Sequence, residues 1–213
     1  MNLPLAQELL LIALDEETGK RKRTDTLDYG LAGAALTELV LLRRVDIIDK
    51  KVQVIDPSPT GDPVIDGILA ELAQKPRSAK SFINKFRSGM SRKVGEQLAA
   101  ANIVTQEHSK FLGLFPNDKF VERNGIPERE IRARLDSVVL QGAEPDERTG
   151  ALATLIDATQ LTKQAFPDVP KREIKPRLKE LSESAWASDA VRRAIQDMQA
   201  AIITAVVMVN ASS

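Results

Sequence analysis

The residues best suited to chemistry in this chain are cations. Residues 73–95 contain no acid, yet Lys75, Arg77, Lys80, Lys85, Arg87, Arg92 and Lys93 put seven positive charges there. A second group, Lys20-Arg21-Lys22-Arg23, is four basic residues in a row. A short basic run is most often a solvated loop. Clustered cations without acids are also what binds phosphate, on a lipid surface or on a nucleic-acid backbone. Across all 213 residues, thirty basic and thirty acidic side chains cancel, so any attraction for an anion must be local.

Other chemistries lack their residues. There is no cysteine and one histidine, His108. That removes disulfides, thiolate metal sites and a cysteine nucleophile, and makes a histidine metal cluster or a Ser/His/Asp triad improbable. No Gly-rich dinucleotide loop, P-loop or HExxH motif occurs. The acid clusters Asp15/Glu16/Glu17 and Glu144/Asp146/Glu147 are of the kind common at turns and helix ends. The expectation is a binding protein rather than an enzyme, with no metal and no cofactor.

The cations have to be held by helices. Residues 30–44, GLAGAALTELVLLRR, carry apolar side chains on nearly every face, which predicts a helix enclosed by others. Residues 3–14 predict an earlier helix with Asn2 as cap and Pro4 in its first turn. Residues 45–49 and 51–55 predict a hairpin about Asp49-Lys50, and residues 64–74 a further helix closed by Pro76. The basic window then predicts two helices, 78–87 and 91–101, broken at Gly89. Phe82, Ile83, Phe86, Val94 and Leu98 form their inner faces and leave the cations outside.

Runs 103–105, 110–115 and 119–122 follow. The turn residues 116–118 predict that 110–115 pairs with 119–122, with Phe115 and Phe120 flanking the tip. Phe120 is a candidate for membrane insertion, although an edge-strand phenylalanine is more often core. The rest predicts helices at 127–141 and 148–158, one after Pro170 interrupted at Pro176, and a long one at 189–211. The apolar run 200–209 is half of the ~20 residues a bilayer span needs, and reads as a core helix. No secretory signal is recognised at the start. The fold class expected is mainly α: one globular domain over residues 1–213, a central helical core surrounded by amphipathic helices, and one or two short β-hairpins.

Several stretches together resemble the Golgi phosphoprotein 3 family of peripheral membrane proteins that bind phosphatidylinositol 4-phosphate. They are LAQELLLIALDEETGK, GLAGAALTEL, PTGDPVIDGIL, LAAANIVTQEHSKFLGLF and RTGALATLIDA, in the family's order. The resemblance implies a helical domain with a β-hairpin and a basic face that docks on anionic membrane. The family's headgroup residues are an aromatic, an arginine in a GLxG motif, and a pair of arginines three apart. Their positions fall at Arg23, Ala32, Ser88 and Ser91, and none of the four is matched. Arg87 and Arg92 each lie one residue from the last pair. The chain also lacks the long amino-terminal tail of the Golgi members, which suggests a minimal relative of bacterial type.

The reading is therefore a cytoplasmic adaptor, peripheral at the inner face of a membrane. Lys22, Arg23, Arg87, Arg92 and Lys93 are the expected headgroup contacts, and a client protein or a second copy are further expected partners. The alternative is a winged-helix-like nucleic-acid module built from the same helix, helix, hairpin order, with Arg92, Lys93 and Gln97 as its readers.

Overall fold

A computed structural model describes residues 3–14, 24–107, 110–111, 115–116, 119–183 and 189–211. In chain order these form α1 (Leu5–Ala13), α2 (Thr24–Leu41), β1 (Val45–Ile48), β2 (Lys51–Val54), α3 (Pro63–Gln74), α4 (Ala79–Phe86), α5 (Met90–Ala100), β3 (Val104–Glu107), β4 (Lys110–Phe111), β5 (Phe115–Pro116), β6 (Lys119–Glu122), α6 (Ile126–Val139), α7 (Glu147–Ala158), α8 (Thr162–Ala165), α9 (Lys171–Glu183) and α10 (Asp189–Ala211). The chain is one mainly α domain.

The helix expected to be enclosed is α2. Every residue from 30 to 40 is buried, and α1, α4, α5, α7 and α10 all pack against it. Two glycines allow the close approach. A Cβ on Gly30 would lie 2.2 Å from the Thr159 methyl, and one on Gly33 would lie 2.8 Å from Ile202 and 2.9 Å from Met198. The helix begins at Thr24, ahead of the expected start, because Leu27 already belongs to the core. At α1, Pro4 stands at the cap position and supplies no side-chain acceptor. The Leu5 amide instead donates to Glu38 Oε2 of α2 at 2.7 Å.

The β1–β2 hairpin turns at Asp49 and Lys50, whose φ values of 51° and 60° define the two-residue turn favoured in hairpins. The second hairpin differs from expectation. β6 pairs with β3, from Val104 opposite Glu122 to Glu107 opposite Lys119, while β4 pairs with β5. The turn residues near 116–118 are a local signal, whereas the pairing is decided by burial. Phe120 is fully enclosed, and a Cβ on Gly95 of α5 would lie 2.3 Å from its ring. Seating that ring on α5 brings β6 beside β3, the strand leaving α5. Phe120 is thus a core residue, and its expected role in membrane insertion is corrected.

Two helices also depart from expectation. α9 runs through Pro176 without a break, held by buried Ile174, Leu178 and Leu181. The hydrogen bond that proline forfeits is outweighed by that apolar stripe. α10 buries Ile195, Met198, Ala201 and Ile202, but Ile203 and Val207 are 52% and 60% exposed, so its apolar run is core on one face only. Among the described residues no helix is long and apolar enough to cross a membrane.

Replacing Phe120 with alanine should lower the unfolding free energy by about 3–5 kcal/mol, measured by urea denaturation. A loss below about 1 kcal/mol would contradict its assignment to the core.

Candidate anion-binding face

The basic window folds into the corner between α4 and α5. Ser78 caps α4 by accepting from the Ser81 amide at 3.2 Å, and Phe82 and Ile83 anchor it in the core. Lys80, Asn84 and Arg87 are all exposed, and their spacing of four and three residues puts them on one stripe of the helix. Gly89 makes the corner with a φ of 70°, which suits a residue without a side chain. Gly89 has no oxygen with which to cap α5, so Asp28 of α2 does so, accepting from the Ser91 amide at 2.8 Å. Met90, Val94 and Leu98 then face inward, while Arg92, Lys93 and Glu96 face solvent.

The window is free of acid in sequence but not in space. Glu71, just before it, lies 3.2 Å from both Arg77 and Lys85. Glu96, just after it, lies 3.3 Å from Arg92. Lys75, Lys80, Arg87 and Lys93 keep no carboxylate partner among the described residues. Arg87 is held differently: its guanidinium carbon sits 4.5 Å from the centroid of the Tyr29 ring, a cation–π contact that orients the charge without neutralising it. Of the expected headgroup contacts, the fold brings Arg87, Arg92 and Lys93 to one corner. Lys22 and Arg23 lie outside the described residues. Gln97, a reader in the nucleic-acid alternative, is turned inward and donates to Asp62 Oδ1 at 2.8 Å.

A family model described as Golgi phosphoprotein 3 (GPP34) matches residues 5–198. The chain belongs to the Golgi phosphoprotein 3 family.

Within this Golgi phosphoprotein 3 domain, two of the four positions that resemblance assigned to the headgroup are used otherwise. Ala32 is fully buried in α2. Ser91 is buried, with its amide engaged by Asp28. Positive charge is nearby at Arg87, but on the outer surface of the corner.

The sequence reading missed a buried ion cluster at the opposite end of α2. Arg134 of α6 donates to Glu8 Oε1 at 2.7 Å. Arg148 of α7 binds both oxygens of Glu38, at 3.2 and 2.9 Å, and also donates to the Leu3 carbonyl. Four helices are joined this way. The only signal was a single glutamate within each of two apolar runs, LAQELLLIA and LTELVLL, which periodicity treats as interruptions. Burial raises the Glu8 carboxyl above its ordinary value, and the opposing pull of Arg134 and Arg148 does not offset it. Burial acts in the same direction on Asp146, but hydrogen bonds from Thr149 and the Arg148 amide, with the charge of Arg134, outweigh it and pull that carboxyl down.

A carboxyl raised by folding binds more protons folded than unfolded. Its stabilising contribution is present below the ordinary carboxyl value of 4.5 and is lost as pH rises through the folded value. Glu8→Gln keeps an acceptor for Arg134 and removes that titration. Wild-type stability, relative to the variant, should therefore fall as pH rises from about 4.5, in urea unfolding across a pH series. A rise over the same range would contradict the assignment.

Proposed function

We propose that this protein attaches peripherally to anionic membrane through the α4–α5 corner, and acts there as an adaptor rather than an enzyme. The observation that carries the reading is Arg87. It is exposed, fixed over Tyr29 and, among the described residues, without a carboxylate partner, whereas Glu71 is shared by Arg77 and Lys85, and Glu96 pairs with Arg92. A surface meant only for solvent would leave a long arginine side chain free to move. Here an aromatic ring holds it in place. Lys80 and Lys93 flank it, and family membership is consistent with lipid binding.

Energetics limit what the face can do alone. A cation near an anionic surface contributes roughly 1 kcal/mol. Lys75, Lys80, Arg87 and Lys93 together supply about 4 kcal/mol, equivalent to a millimolar Kd. Attachment through this face is therefore weak, reversible and sensitive to salt. It becomes persistent when a second contact is added, from the stretch with Lys22 and Arg23, from a client protein or from a second copy of the chain.

The protein should co-sediment with phosphatidylserine vesicles at low ionic strength and not with phosphatidylcholine vesicles, and binding should fade above about 0.1 M salt as the Debye length drops below ~10 Å. The double change Arg87→Glu, Lys93→Glu should lower vesicle affinity by more than about tenfold. Absence of binding at low salt, or indifference to the two reversals, would remove this reading.

A further inference from the structure

The second half of α10 presents a face that water does not suit. Although 28% of the chain is charged, residues 198–211 include no acid and no base. A helix at a protein surface ordinarily turns charged side chains outward. The inner side of α10 is occupied by the core: Ile195, Met198, Ala201 and Ile202 are buried, with Met198 and Ile202 filling the space above Gly33 of α2. On the opposite side Ala200, Ile203, Thr204 and Val207 are exposed, and their spacings of three and four residues make one stripe. Its two large members, Ile203 and Val207, each keep more than half of their surface in contact with solvent. Single exposed apolar residues are normal, whereas an uncharged stripe two turns long marks a surface that something other than water covers.

The neighbour of that stripe is the basic helix α4. α4 and α10 pack on each other and both pack on α2, so the sides they turn away from α2 lie on the same flank of the molecule. Their heights along α2 agree as well. Ile202 meets α2 at Gly33, and Arg87 meets it at Tyr29, four residues or about 6 Å earlier along the helix. The exposed cations Lys80 and Arg87 of α4 therefore border the apolar stripe of α10.

Apolar side chains bordered by cations suit an anionic bilayer, which takes the first into its interfacial layer and holds the second among its headgroups. We propose that Ile203 and Val207 insert into the anionic membrane to which the α4–α5 corner attaches. The inference rests on that attachment and adds a second, apolar contact to it. α10 then lies along the membrane surface, because no described helix is long and apolar enough to cross. A second copy of the chain is a poorer occupant. Two copies meeting symmetrically on this stripe would each bring Lys80 and Arg87 to the shared rim, like charge against like charge, whereas a phosphatidylserine surface supplies their counter-charges.

The chain has no cysteine, so a single introduced one can carry a polarity-sensitive fluorophore. Labelled Val207→Cys, mixed with phosphatidylserine vesicles at low ionic strength, should shift its emission to the blue and be quenched by nitroxide-bearing lipid. Ile126→Cys is the control: Ile126 is 55% exposed, but its helix α6 packs on α1, α7 and α9, and a label there should not respond. The double change Ile203→Asn, Val207→Asn should lower vesicle affinity about tenfold or more and leave its salt dependence unaltered, because no charge is removed. An unshifted label at position 207 on sedimented vesicles, equal responses at 126 and 207, or undiminished affinity in the double variant would overturn the insertion. Sedimentation without a response at 207 removes the insertion alone, whereas failure of the wild-type chain to sediment with these vesicles removes the attachment reading with it. Sedimentation velocity without vesicles addresses the other occupant: a wild-type dimer that the double variant abolishes would assign the stripe to a second copy and overturn the proposal.

Discussion

The constraint on which the rest of the structure depends is that α2 has no solvent face between residues 30 and 40. A helix apolar all round is stable only when other elements surround it, and the glycines at 30 and 33 set how closely α7 and α10 can approach. Once those helices are in place, the polar groups of α2 are confined to its ends, to Glu38 and to Thr37, whose hydroxyl bonds back to the Gly33 carbonyl. Three of them, and Arg44 just beyond the helix, order a neighbour. Asp28 caps α5, Tyr29 carries Arg87, Glu38 caps α1 and binds Arg148, and Arg44 pairs with Asp56 and thereby holds the loop before α3. The geometry of the α4–α5 corner is a consequence of how the core helix begins.

The charges divide into two populations with different physics. At the ion cluster, buried Glu8 and Glu38 are met by the partly exposed Arg134 and Arg148, and removing an arginine leaves an uncompensated buried carboxylate, which is costly. Those pairs specify how α1, α2, α6 and α7 sit together. On the surface, Arg92 with Glu96 and Lys85 with Glu71 are exposed pairs worth a few tenths of a kcal/mol each. Their importance is that they subtract charge from the basic face, so that Arg87, Lys80 and Lys93 define its potential. A count of cations along the sequence overstates the face because the compensating acids lie just outside the window.

Legibility in the sequence followed the range of the interactions. The enclosed nature of α2, the two helices of the basic window and the turn at Asp49-Lys50 are written in local patterns of period 3.6 and in turn chemistry, and they appear where expected. The β3–β6 pairing was not legible, because strand choice depended on Phe120 finding the bare backbone at Gly95, a contact between distant positions. Continuity of α9 through Pro176 was missed for a similar reason: a local breaker was overruled by the burial of Ile174, Leu178 and Leu181. Glu8 and Glu38 looked like blemishes in apolar helices, since their partners lie more than a hundred residues away in sequence. At the corner, the residue types were visible, whereas the distinction between free and neutralised cations was purely spatial.

Arg87, oriented by Tyr29 and without a carboxylate partner among the described residues, marks the side that we propose turns toward an anionic surface. Lysine acylation followed by mass spectrometry, with and without phosphatidylserine vesicles, tests that orientation most directly. Lys80 and Lys93 should react more slowly on vesicles while the exposed Lys51 and Lys179 are unchanged. Equal protection of all four, or protection of Lys51 and Lys179 alone, would contradict it.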